Sequence, residues 1–230
     1  MHQQKKLLLK RPPKNKNGDA GMSTFTTDFQ NELTDLMRWR RDVRRFRSDP
    51  VDEALLSACL DTFLLSPSVG LSEPWRVVRV NSESARAAAL SNFKTANAKA
   101  LEGYEGERAQ IYSGLKLSGM QEAPVQLAIF CDEATEKGAG LGASTMPETR
   151  RYSVVGAITQ FWLAARARGL GAGWVSILDP EQLSRDLNVP KEWTLVAYIC
   201  VGWPEEESLT PELETIGWED RRGTLPVETR

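Results

Sequence analysis

Apolar positions recur along this chain at two periods. Phe29, Leu33, Leu36 and Met37 fall at helical spacing and predict a first helix over about 28–40. After Pro50, Asp52 can cap a second helix carrying Leu55, Leu56, Cys59, Leu60 and Phe63, which Pro67 ends. The run Trp75-Arg76-Val77-Val78-Arg79-Val80 reads as the first strand. An alanine-rich, charged stretch over 83–121 predicts two helices broken near Gly103 and Gly106, and Pro124 precedes an apolar strand over 125–131. A glycine-rich loop over 132–148 has the length of a lid or a disordered excursion. The next helix, 152–168, carries Val154, Val155, Ile158, Phe161, Trp162 and Ala165 almost all round, which predicts central burial. A strand over 173–178, a short helix over 180–187 and a strand over 194–201 follow. Helices and strands mix without a strict βαβ rhythm, so the pattern points to an α+β, three-layer arrangement.

Composition narrows the class. A chain of 230 residues, 41% hydrophobic and 26% charged, suits one core. That core is expected over 22–203, with an acidic extension over 204–230 too sparsely apolar to fold by itself. No apolar run approaches the roughly 20 residues that span a bilayer. Cys59, Cys131 and Cys200 are widely spaced in apolar surroundings and read as core residues of a reducing, cytoplasmic compartment. The sole histidine is His2, which excludes Ser-His-Asp and Cys-His catalysis and imidazole-based zinc sites in the body; no metal is expected. Residues 1–21 carry a net +5, leaving the remainder mildly acidic. They read as a disordered basic tail or an upstream extension before Met22. Without interleaved aromatic residues, the tail gives no specific nucleic-acid signal.

The densest chemistry is Arg40-Arg41-Asp42-Val43-Arg44-Arg45-Phe46, four guanidinium groups around one carboxylate where a helix stops. Arginine forks bind phosphate bidentately, so this is an anion-binding corner or, more plainly, a solvated basic helix end. Asp42 is either a surface partner of Arg38 or Arg45 or a carboxylate within a cofactor pocket. A second element, Pro67-Ser68-Val69-Gly70-Leu71-Ser72-Glu73-Pro74-Trp75, is a turn-rich entry to a strand. A third, Gly169-Leu170-Gly171-Ala172-Gly173-Trp174-Val175-Ser176, follows a helix and opens a strand. That order is the reverse of a dinucleotide fingerprint. Its first glycine suits a helix C-cap, and the others would let backbone lie flat against a planar ligand.

Together with Leu115-Lys116-Leu117 and Trp162-Leu163-Ala164-Ala165-Arg166-Ala167, these motifs closely resemble the BluB family, the 5,6-dimethylbenzimidazole synthases of the flavin nitroreductase superfamily. The resemblance runs from about Leu36 to Arg222. It implies a nitroreductase-like fold with a central mixed sheet, and a homodimer holding flavin at its interface, with the C-terminal extension wrapped on the partner subunit. It implies reduced FMN bound as substrate, O2 as co-substrate, and fragmentation to 5,6-dimethylbenzimidazole, the lower ligand of vitamin B12, and erythrose 4-phosphate. A separate flavin reductase would supply the reduced FMN. Arg40, Arg41, Asp42, Val43, Arg44, Ser68, Lys116, Leu117, Gly173, Trp174, Val175, Ser176 and Arg221 would bind the flavin. Asp42 and Ser176 would be catalytic, the first as a base, the second as a hydroxyl at the redox edge. Glu73 and Arg150-Arg151 depart from the family pattern. The competing readings are an NAD(P)H-dependent flavin reductase or nitroreductase, and a non-catalytic flavin-binding protein.

Overall fold

The computed structural model describes residues 24–230, so the expectation for the basic tail lies outside the described residues. Among the described residues, 24–35 belong to one unit and Leu36–Arg230 form another. In the first, Phe25 stacks on Phe29 at 4.7 Å, and Thr26 Oγ1 accepts from Phe29 N–H as α1 (Thr27–Trp39) begins.

The second unit holds the core. Asp52 caps α2 (Glu53–Leu60) through Leu55 N–H, as its position before an apolar run predicts. Short 3-10 turns at Asp61–Leu65 and Val69–Leu71 lead into β1 (Trp75–Arg79). Two helices follow, α3 (Glu83–Leu101) and α4 (Gly106–Gly114), with the break falling between Gly103 and Gly106. Then come β2 (Val125–Asp132), α5 (Thr149–Arg166), β3 (Gly171–Val175), α6 (Pro180–Asp186), β4 (Trp193–Gly202) and the single turn α7 (Glu212–Thr215).

The sheet runs in the order β1-β2-β4-β3. Its pairings are all antiparallel, which corrects the expected mixed sheet; the parallel element is a lone bridge, Asp42 to Ala172. Period-two alternation along β2 separates two cores. Leu127 and Ile129 pack with Leu56, Phe63, Ile158 and Phe161 on the α2/α5 face. Ala128 and Phe130 pack with Phe93, Leu183 and Tyr198 on the α3/α6 face. Helices on both faces of one sheet are the three layers the sequence implies.

Two further expectations change. The strand assigned to 173–178 is β3, which begins earlier and ends at Val175. Asn92 and Asp179 exchange hydrogen bonds of 2.9 and 2.8 Å, and Asp179 caps α6, so the chain is turned away before it can extend the strand. Helix α5 is not buried all round: Ser153, Val154, Ala157, Ile158, Phe161 and Ala165 face the core, while Tyr152 and Val155 are exposed. Among the described residues, no helix is long and apolar enough to cross a membrane.

Candidate functional site

The basic segment is held in extended form along the outer edge of β3. Val43 N–H donates to Ala172 O at 3.0 Å, and further on Arg47 N–H donates to Trp203 O at 2.9 Å. This approach needs the glycines of the third motif. A Cβ on Gly173 would stand 2.0 Å from Val43 O, and one on Gly171 would stand 2.7 Å from Val43 Cγ2. Gly171 and Gly173 therefore make room, on the side a Cβ would occupy, for the chain's own arginine segment rather than for a planar ligand.

Asp42 is bound at both oxygens. Oδ1 accepts from Trp174 N–H at 2.7 Å, and Oδ2 accepts from Arg44 Nε at 3.0 Å. Arg44 also donates to Lys116 O at 3.5 Å and lies 3.8 Å from Glu212 Oε2. Arg45 pairs with Glu212 Oε1 at 2.9 Å, and this hydrogen bond raises the Arg45 pKa above its ordinary value. Between the 40–45 segment and residues 206–215 lies a cavity of about 390 Å³, with Arg221 also on its wall. That volume is within the range of cofactor pockets.

The cavity lining carries Arg40, Arg41, Arg44, Arg45 and Arg221 against Asp42, Glu206 and Glu212. The carboxylates gather at one end, around Arg44 and Arg45. Around Arg41, burial and then the charges of Arg221 and Arg40 pull its pKa below the ordinary value, against the opposing charge of Glu214. Arg41 donates to the carbonyls of Arg40 and Leu209, yet its Nε is buried without a partner. Crowded guanidinium groups with an orphaned donor suit an anion with several acceptor oxygens. The residues present thus fit the phosphate of a flavin nucleotide.

The remaining predicted positions divide. Lys116 offers its carbonyl to Arg44 while its ammonium pairs with Glu122 at 2.6 Å. Trp174 enters through its N–H on Asp42. Leu117 and Val175 pack into the core on the α3/α6 face. Ser176 follows β3 directly and is exposed. Ser68 is not brought to the cavity within one chain; its Oγ accepts from Glu73 N–H at 3.0 Å. Glu73 pairs with Lys137 and Arg151 with Glu133, so these two departures are neutralised locally, whereas Arg150 Nε is buried without a partner. Burial pushes the Cys131 and Cys200 thiols up to about 12, as core residues. Sequence reasoning missed Glu212, for which no local pattern exists. It also left Arg45 out of the binding set, although Arg45 shares the arginine run.

The arginine segment, the antiparallel sheet and the buried α5 face define the class: the chain belongs to the nitroreductase family, whose sequence profile matches residues 37–203. It is 56% identical over 201 residues to the 5,6-dimethylbenzimidazole synthase of Rhodospirillum rubrum, covering 86% of this chain and 94% of that protein. It is 46% identical over 204 residues to the enzyme of the same name from Rhodobacter capsulatus, covering 89% and 97%. In fold it is similar to an oxidized iodotyrosine deiodinase crystallised with FMN and 3-iodo-L-tyrosine. That likeness has a TM-score of 0.68 at 22% identity, covering 86% of this chain and 98% of that one.

Proposed function

We propose that this chain is a 5,6-dimethylbenzimidazole synthase, taking reduced FMN as substrate and O2 as co-substrate and releasing 5,6-dimethylbenzimidazole and erythrose 4-phosphate. The observation that carries the reading is a carboxylate, Asp42, set into the arginine cavity of a chain so similar to synthases of that name. Reduced flavin would supply the electrons taken up by oxygen and the carbon skeleton that is cleaved. Arg40, Arg41 and Arg221 would hold the phosphate, because they line one cavity wall where the Arg41 Nε is buried without a partner. Arg44, already neutralised by Asp42 and Glu212, would face the uncharged ribityl chain or the pyrimidine ring. Asp42 would accept a proton on a carboxylate oxygen held in place by Trp174 N–H and Arg44. The exposed Ser176 hydroxyl would donate where oxygen reacts.

The working unit in this proposal is a homodimer. Leu141, Tyr152 and Val155 leave apolar area uncovered on one chain, and Ser68, which does not line the cavity within one chain, would be supplied by the second copy. Residues 204–230 contact their own chain, among others through Glu212 at Arg45 and Trp218 at Tyr104, and the extension together with the exposed face of α5 would pack on the partner. Three unpaired, buried cysteines accord with action in the cytoplasm.

The test separates the synthase from a nicotinamide-dependent reductase. FMN, air and reduced nicotinamide alone should yield no dimethylbenzimidazole; adding an unrelated flavin reductase should start production. Rapid bleaching of bound flavin by nicotinamide, with no product under either condition, would refute the proposal.

A further inference from the structure

We infer that Trp218 is a positioning residue that holds Arg221 in the cavity, and that its seat on α4 thereby sets the preference for a phosphorylated over an unphosphorylated flavin. The inference rests on the flavin reading above. After α7, Gly217 takes a φ of +73°, and Trp218 N–H returns to Leu213 O at 2.8 Å, a closure that reverses the chain. The reversal delivers the Trp218 indole to α4. It meets Tyr104 edge-on at 5.3 Å and Tyr112 at 6.3 Å, and those two rings are themselves stacked at 4.8 Å. The Arg108 guanidinium lies 4.9 Å over the indole, and its Nη1 donates to Trp218 O at 2.7 Å. Ring pairs and a cation over an indole each add to simple burial, so the seat is a specific one.

Beyond it, every residue from Glu219 to the C-terminus is exposed. The hydrogen bonds that continue are Glu219 N–H to Leu213 O and local contacts within the tail, Asp220 to Glu219 and Arg230 to Glu228. Arg221 stands three residues past the anchor. It lines the cavity, is close enough to lower the Arg41 pKa, and has no ion-pair partner among the described residues. A long side chain on an exposed tail loses its orientation once the tail is released. The aromatic seat on α4 is therefore what keeps a fifth guanidinium on the cavity wall, close to Arg41.

The experiment measures dissociation constants of oxidised FMN and riboflavin by fluorescence quenching. The proteins are the full chain and its Arg221→Ala, Trp218→Ala, Trp218→Phe and doubly substituted Arg221→Ala/Trp218→Ala variants. A charge-assisted contact to phosphate predicts that Arg221→Ala and Trp218→Ala each weaken FMN on the order of tenfold or more while riboflavin moves by less than about twofold. The double variant should be no weaker than Arg221→Ala, because both act through one contact. Trp218→Phe, which keeps a ring in the seat, should recover most of the FMN affinity. Equal losses of both flavins in Trp218→Ala, or full additivity in the double variant, would overturn the inference while leaving the flavin site standing. An unsubstituted chain that binds neither flavin would overturn both.

Discussion

Asp42 Oδ1 accepts the backbone N–H of Trp174 at 2.7 Å, which ties the carboxylate to the strand that ends beside Ser176. The two residues proposed for chemistry are thus coupled through one strand edge. Their substitution separates positioning from reaction.

Asp42→Asn keeps an oxygen for Trp174 N–H but sets an amide N–H against Arg44 Nε. The lost pair should cost about 1 kcal/mol, read as a lower denaturation midpoint. Flavin should still bind, since Arg40, Arg41 and Arg221 are untouched, while dimethylbenzimidazole production stops. A yield near that of the unsubstituted chain would make Asp42 purely structural.

Ser176→Ala removes an exposed hydroxyl just after β3, so stability should change by less than about 0.5 kcal/mol. If the hydroxyl serves developing charge where oxygen reacts, stopped-flow oxidation of bound reduced flavin should slow on the order of a hundredfold, with a far smaller loss of affinity. Equal changes in both would reduce Ser176 to shaping the pocket.

Gly173→Ala should be the most damaging of the small substitutions. Its Cβ would meet the backbone oxygen Val43 O at 2.0 Å, which no side-chain rotation can relieve, so the arginine segment must part from β3. A loss of about 2–3 kcal/mol and of FMN binding is expected, checked by denaturant unfolding and flavin titration. Gly223→Ala, with open space around it, is the neutral control.

Much of the fold was legible because it is written locally. Asp52 before an apolar run gave a helix start, and Gly103 and Gly106 gave the break between α3 and α4. The arginine run marked the cavity's main wall. The opposite wall was not legible, since Glu212 meets Arg45 across a separation of 167 residues. The glycines of the third motif were seen as space for a ligand, and the neighbour filling that space, Val43, lies some 130 positions away in sequence. Spacing shows that backbone must approach something there; it does not say what.

The dimer should be detectable by sedimentation at micromolar concentration. Val155→Glu puts a charge on the exposed apolar face of α5 and should yield monomer. An obligate interface of order 2,000 Å² would not tolerate an unpaired buried carboxylate. Because Ser68 is proposed to come from the second copy, the monomer should also bind FMN more weakly. An unsubstituted chain that is monomeric with flavin bound would exclude this arrangement.

The most direct measurement is made without nicotinamide or any second enzyme. Chemically reduced FMN is bound to the protein under anaerobic conditions, air is admitted, and the mixture is followed by visible absorbance and mass spectrometry. The account predicts dimethylbenzimidazole in the mixture and a flavin absorbance that does not fully return. Quantitative recovery of intact oxidised FMN, with no dimethylbenzimidazole, would contradict it.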